Sequence, residues 1–157
     1  MLSPESLAKI DKEIAKYPAG QKQSAVMAAL RIAQDELGWL SSDTLEFVAG
    51  YLGMAPVAVY EVASFYNMYE LAPVGKYKIT VCTNLSCTLM GADSISAHLK
   101  SRLGIGFGET TADGRFTLKE GECMGACGDG PLFLVNNKRM CGCLSSEKVD
   151  QILAELK

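Results

Sequence analysis

The sequence predicts an α+β chain, a helical bundle followed by a layer of strands and helices, and three observations carry that reading. Apolar residues recur at helical spacing as far as Leu71. The period switches to alternation after the breaker run Ala72-Pro73-Val74-Gly75. Beyond it, each of two cysteine pairs follows a strand-like segment. The boundary divides the chain into a helical bundle at residues 1–72 and a second domain at 73–157.

In the first half, Ser3 can cap a helix with Pro4 at its first position, and Leu7, Ile10, Ile14 and Tyr17 form one apolar side. Tyr17-Pro18-Ala19-Gly20 ends it. A second helix is expected over Gln21 to Leu37, with Gly38 as its stop, and Ser42 opens a third through Leu45, Val48, Ala49 and Leu52. Pro56 starts a fourth, which carries Val57, Tyr60 and Ala63.

In the second half, Tyr77, Ile79 and Val81 alternate with Lys78 and Thr80, so a strand delivers Cys82 at its tip. Ser94 to Leu103 reads as a helix, and after the turn at Asp113-Gly114 a strand over Arg115 to Lys119 runs toward Cys123 and Cys127. Leu132 to Val135, Asn136-Asn137 and Lys138 to Cys141 read as a two-residue hairpin, because Asn tolerates the positive φ of a type I′ turn. Ser145 can cap a last helix with Val149, Ile152, Leu153 and Leu156 inward and Leu144 stapled onto Val149. This order suggests a thioredoxin-like α/β layer.

The chemistry is concentrated in Cys82, Cys87, Cys123 and Cys127, a C-x4-C…C-x3-C framework arriving as two pairs from two loops. Four thiolates are what a [2Fe-2S] cluster needs, and Gly91, Gly121, Gly125 and Gly128 leave the chain free to bend around it. Structural zinc is formally compatible with these spacings, which keeps a zinc-stabilised interaction module open as a rival. A thioredoxin-type dithiol needs C-x2-C, which neither pair has. A secreted disulfide framework is disfavoured, since no apolar leader opens the sequence, and six cysteines then point to a reducing compartment.

With 48% hydrophobic and 21% charged residues, the 157-residue chain can bury a core. Its net charge of −3 argues against a nucleic-acid surface. Phe47 to Tyr60 is the longest uncharged apolar stretch, 14 residues broken by Gly50, Gly53 and Pro56, so membrane insertion is not expected.

The runs Val59-Tyr60-Glu61-Val62-Ala63-Ser64-Phe65-Tyr66-Asn67-Met68-Tyr69, Pro73-Val74-Gly75-Lys76-Tyr77, Val81-Cys82-Thr83 and Glu122-Cys123-Met124-Gly125-Ala126-Cys127 resemble the E-subunit family of bacterial respiratory complex I, NADH:quinone oxidoreductase. The resemblance spans nearly the whole chain. It implies a thioredoxin-like [2Fe-2S] ferredoxin domain behind a helical bundle, with one cluster on Cys82, Cys87, Cys123 and Cys127. It implies no catalytic side chain here: FMN and NADH belong to a partner flavoprotein subunit, and a larger iron-sulfur subunit completes the neighbourhood. The chain is then part of an enzyme without oxidising NADH by itself, and lies in the cytoplasm, peripheral to the inner membrane. Small subunits of NAD-linked hydrogenases and formate dehydrogenases share these motifs and stay open as hosts.

Cys141-Gly142-Cys143 departs from the family pattern, and two free or partly buried thiols are expected there. Gly104-Ile105-Gly106-Phe107-Gly108 follows a helix rather than a strand, so it is not read as a phosphate loop. His98 is expected to be structural and Trp39 to pack, while Phe65, Tyr66 and Tyr69 read as core or partner contact.

Overall fold

Ser3 opens the first helix, α1 (Pro4–Ile14): its hydroxyl accepts the Ser6 N–H at 3.2 Å, and Pro4 occupies a first-turn position whose N–H would have no partner. The computed structural model describes residues 1–156, which pack as two units divided between Pro73 and Val74. In the first unit, α2 spans Val26–Leu37 rather than starting at Gln21, because Lys22–Ala25 winds as a separate 3₁₀ turn. Gly38 stops it at φ +84°. The third helix, α3 (Ser42–Leu52), opens at Ser42 as expected and is capped by Ser41, whose hydroxyl accepts the Thr44 N–H. Pro56 begins α4 (Pro56–Phe65).

Ile10, Leu30, Leu40, Val48 and Val59 fill the core of this unit. The segment after α4 is held by a side chain whose role the sequence does not announce. Gln34 donates its amide N–H to Met68 O (2.9 Å) and accepts the Glu70 N–H (2.6 Å), while Tyr69 donates its hydroxyl to Met27 O. Tyr69 is therefore core, whereas Phe65 lies 81% exposed and Tyr66 is at the surface, so the expected aromatic group divides. Trp39 is half-buried.

In the second unit β1 (Tyr77–Cys82) pairs parallel with β2 (Phe116–Gly121) and antiparallel with β3 (Phe133–Val135), which pairs antiparallel with β4 (Arg139–Cys141). The sheet order is β2-β1-β3-β4. A short helix, α5 (Leu85–Leu89), follows β1. After it, α6 (Ala92–Leu103) starts two residues before the expected Ser94, and α7 (Ser146–Glu155) is capped by Ser145 as the sequence predicts. Ile95 and Leu99 of α6 share one core with Val149 and Ile152 of α7 and with Ile79, Val81, Leu118 and Phe133 of the sheet.

Two departures have clear causes. The alternation in β1 predicts an outward Lys78, yet it is only 4% exposed, in a strand that lies inside the sheet with β2 and β3 paired on either side. Asn136 (φ +51°) and Asn137 (φ +56°) make the expected positive-φ turn, closed by Lys138 N–H on Val135 O. However, Val135 pairs with Arg139, which leaves Lys138 as an extra residue in the loop. No helix among the described residues is long and apolar enough to cross a membrane.

Candidate metal centre

The parallel pairing of β1 and β2 brings the C-terminal ends of both strands to one edge, with Cys82 opposite Gly121. Cys82 ends β1 and is fixed there by its N–H on Leu132 O (3.1 Å), and Thr83 N–H continues the ladder onto Gly121 O. The chain then closes into α5. Cys87 sits in that helix and not in an open loop as expected, 1% exposed, beside Cys82, Ala92 and Leu132. Thr88 secures the turn by donating its hydroxyl to Thr83 O (3.1 Å). Burial, reinforced by the hydrogen bond and the charge of the Cys82 sulfur, pushes the Cys87 thiol up to about 11.

The second pair follows β2 on an exposed loop. Gly125, at φ +73°, turns the chain so that its own N–H donates to Cys123 Sγ at 3.3 Å, and Cys123 Sγ lies 4.0 Å from Cys127 Sγ. Cys127 opens a 3₁₀ turn that ends at Asp129. Beyond it the loop returns to the first pair: a Cβ at Gly130 would stand 3.0 Å from Met90 Sδ and 3.4 Å from Cys87 Sγ. The same loop is braced from behind by Cys143 N–H on Asp129 O (2.5 Å) and Leu144 N–H on Pro131 O (3.1 Å).

The four sequence-predicted cysteines therefore gather at one end of the sheet as two pairs, one buried and one exposed. Among the described residues, no three His, Cys, Asp or Glu side chains converge on a point that would hold a single ion. Two sulfur pairs suit a two-iron unit, in which each iron takes two thiolates, better than the closed tetrahedron of structural zinc. The amide of Gly125 aimed at Cys123 Sγ adds the kind of backbone donor that stabilises charged sulfur. The residues present fit a [2Fe-2S] group on these grounds.

The remaining candidates serve the scaffold. His98 Nε2 pairs with Asp150 Oδ1 at 3.0 Å, Arg102 Nε donates to the same oxygen at 2.8 Å, and together they tie α6 to α7. The hydrogen bond from His98, opposed by slight burial and aided by the Arg102 charge, holds the Asp150 carboxyl below its usual range. In the glycine run, Gly106 N–H donates to Glu109 Oε2 and Gly108 N–H to Leu118 O, so these amides are already used internally. Cys141 is buried at the end of β4, Cys143 is exposed at φ +47°, and both are free thiols. Gly130 and Gly142 escape sequence reasoning as site residues; the first lets the chain approach the Met90 and Cys87 side chains and the second lets it approach Asp129, neighbours that spacing does not encode.

A family model described as thioredoxin-like [2Fe-2S] ferredoxin matches residues 10–157. The chain is 38% identical over 148 residues to NADH-quinone oxidoreductase subunit 2 of Thermus thermophilus, covering 94% of this chain and 82% of that protein. It is 41% identical over 148 residues to an NADH-quinone oxidoreductase E-type subunit of Rhizobium meliloti, covering 94% and 86% respectively. Among solved structures, a chain of an NAD+-reducing [NiFe]-hydrogenase in the air-oxidised state superposes with a TM-score of 0.73 at 23% identity, over 88% of this chain. This chain covers 24% of that one, and the likeness is one of fold. Matched over nearly its full length, the chain belongs to the thioredoxin-like [2Fe-2S] ferredoxin family.

Proposed function

We propose that Cys82, Cys87, Cys123 and Cys127 hold a single [2Fe-2S] cluster, and that the chain is the electron-carrying small subunit of an NADH:quinone oxidoreductase of the complex I type. Its electron partner is a flavoprotein subunit that binds FMN and NADH, next to a larger iron-sulfur subunit, in an assembly whose hydrophilic part lies in the cytoplasm, peripheral to the inner membrane. The observation that carries this reading is the gathering of two thiol pairs at one end of the sheet. The alignment with relatives named as subunits of NADH-quinone oxidoreductase, over more than four-fifths of each, supports the host.

When bound, such a cluster accepts and returns one electron at a time. The protein's own share is positional. The Cys82 and Cys87 side of the site is closed to water by Leu132 and Ala92, whereas Cys123 and Cys127 face outward. The Gly125 N–H offsets part of the negative charge on Cys123 Sγ. Glu120, Glu122 and Asp129 work in the opposite direction, since anions near the thiolates oppose addition of an electron.

An EPR-monitored redox titration tests the proposal. The purified chain should develop an S = 1/2 signal only under strong reductant, with a midpoint at about −400 mV or somewhat above, and should not oxidise NADH without a flavoprotein. A midpoint above about −150 mV, where Rieske centres begin, or steady NADH oxidation by the flavin-free chain would contradict it.

A further inference from the structure

The surface around the cysteine pairs carries a pattern that ligand binding alone does not require. α5 turns Cys87 inward, and the same short helix leaves Leu85 and Leu89 outside at 70% and 79% exposure, with Met90 following at 49%. Large apolar side chains held in water gain nothing from packing, and a cluster of them marks a surface that is covered in use. The segment from Thr83 to Gly91 contains no charged residue.

Carboxylates border this patch on both sides. Thr83 N–H on Gly121 O places Glu120 and Glu122 along one side, and the approach of Met90 to Gly130 brings Asp129 to the other. All three acids are exposed, and residues 120–130 include no Lys or Arg. Cys123 and Cys127, also exposed, lie on the same loop as Glu122 and Asp129. The Lys148 ammonium reaches the neighbouring segment, where it donates to Gly142 O at 2.6 Å.

From this charge pattern we infer that the α5 face is the docking surface for a redox protein that presents an apolar cofactor edge ringed by Lys or Arg. The inference rests on the electron-carrier reading above and adds to it the face and the chemistry of the partner. The apolar centre excludes water between the two redox groups, and the acidic border steers and orients a cationic partner. A second copy of this chain would set carboxylates against carboxylates, which disfavours self-association through this face.

Cytochrome c, a small basic haem protein with lysines around its exposed haem edge, serves as the probe. The cluster-loaded chain is reduced with dithionite, freed of excess reductant and mixed with ferric cytochrome c, so that one electron leaves the chain and one haem iron is reduced. Ferricyanide, a small anion, is run in parallel to report the carrier itself. Calorimetric affinity of the two oxidised proteins gives a second readout. The rate and the affinity should both fall about tenfold as salt rises from about 20 to about 300 mM. At low salt, Glu122→Gln and Asp129→Asn should each lower them about threefold, and Leu89→Ser should lower the affinity by a similar factor.

Ser101→Lys adds the same single positive charge about 14 Å along α6 from Ala92 and should change neither. Equal losses for Ser101→Lys and Glu122→Gln, or no loss on Leu89→Ser, would overturn the docking face while leaving the carrier intact. So would a dimer of the wild-type chain that Leu89→Ser dissolves. Failure to reduce ferricyanide would remove the carrier reading, and the inference with it.

Discussion

Cys87 shows what the fold asks of one residue: a thiol that the proposed function makes a ligand, a role it can fill only when deprotonated, is kept where deprotonation is unfavourable. The sign of the consequence follows from its raised value. The metal-free protein should keep a constant contribution from this thiol below about pH 9, the ordinary value, and lose it as pH rises toward about 11, where the folded thiol ionises. Denaturant titrations of the metal-free chain between those limits should show falling stability, and Cys87→Ala should flatten the fall; a wild-type stability that rises across that window would contradict the assignment. Gly142 makes a different demand. A Cβ there would meet Asp129 O at 2.7 Å and Asp129 Cβ at 2.8 Å, whereas one at Gly128 meets nothing within 4 Å. Because the obstacle includes backbone on the loop that carries Cys127, Gly142→Ala should cost about 1–3 kcal/mol and hasten loss of visible absorbance from the loaded protein. Gly128→Ala should behave as wild type in the same thermal and bleaching experiments.

At the scale of elements, α6 and α7 meet the sheet through Leu99 and Val149, both fully buried, and are tied to each other by the His98, Arg102 and Asp150 contacts. Leu99→Ala should remove about 2–5 kcal/mol of stability, measured by chemical denaturation, without changing the cysteine chemistry. A loss under about 1 kcal/mol would mean that the helix is not packed as described. Elements of this kind are legible in the sequence wherever a local rule decides them. Ser3 and Ser145 cap as their positions suggest, and Asn136-Asn137 turns as its residues allow. Ser42 opens α3 as expected, while its cap, Ser41, is identified only by the structure. The sequence predicts a loop at Cys87 because the window Asn84 to Leu89 is too short to show a helical period, and its helix closes only once Thr88 bonds back to Thr83 and Asn84. The approach of Gly130 to Cys87 joins segments far apart along the chain, and local pattern holds no trace of it.

For the molecule as a whole, the second unit carries the thiol pairs of the proposed function, and the first leaves Phe65 exposed at the end of α4. The cysteine spacing points to the ligand set before any geometry, because paired thiols at strand ends are a local signature. The sheet order that brings the two pairs to one edge is not readable in the same way, since parallel pairing of β1 with β2 depends on the long excursion through α5 and α6. The central claim is that four of six cysteines hold one two-iron cluster. Iron and acid-labile sulfide measured across all six single Cys→Ser variants test it most directly. The wild-type chain and the Cys141→Ser and Cys143→Ser variants should each hold about two irons and two sulfides, and the variants at Cys82, Cys87, Cys123 and Cys127 should lose most of both. Zinc in place of iron and sulfide in the wild-type chain, or a cluster lost on Cys141→Ser and kept on Cys123→Ser, would contradict the account.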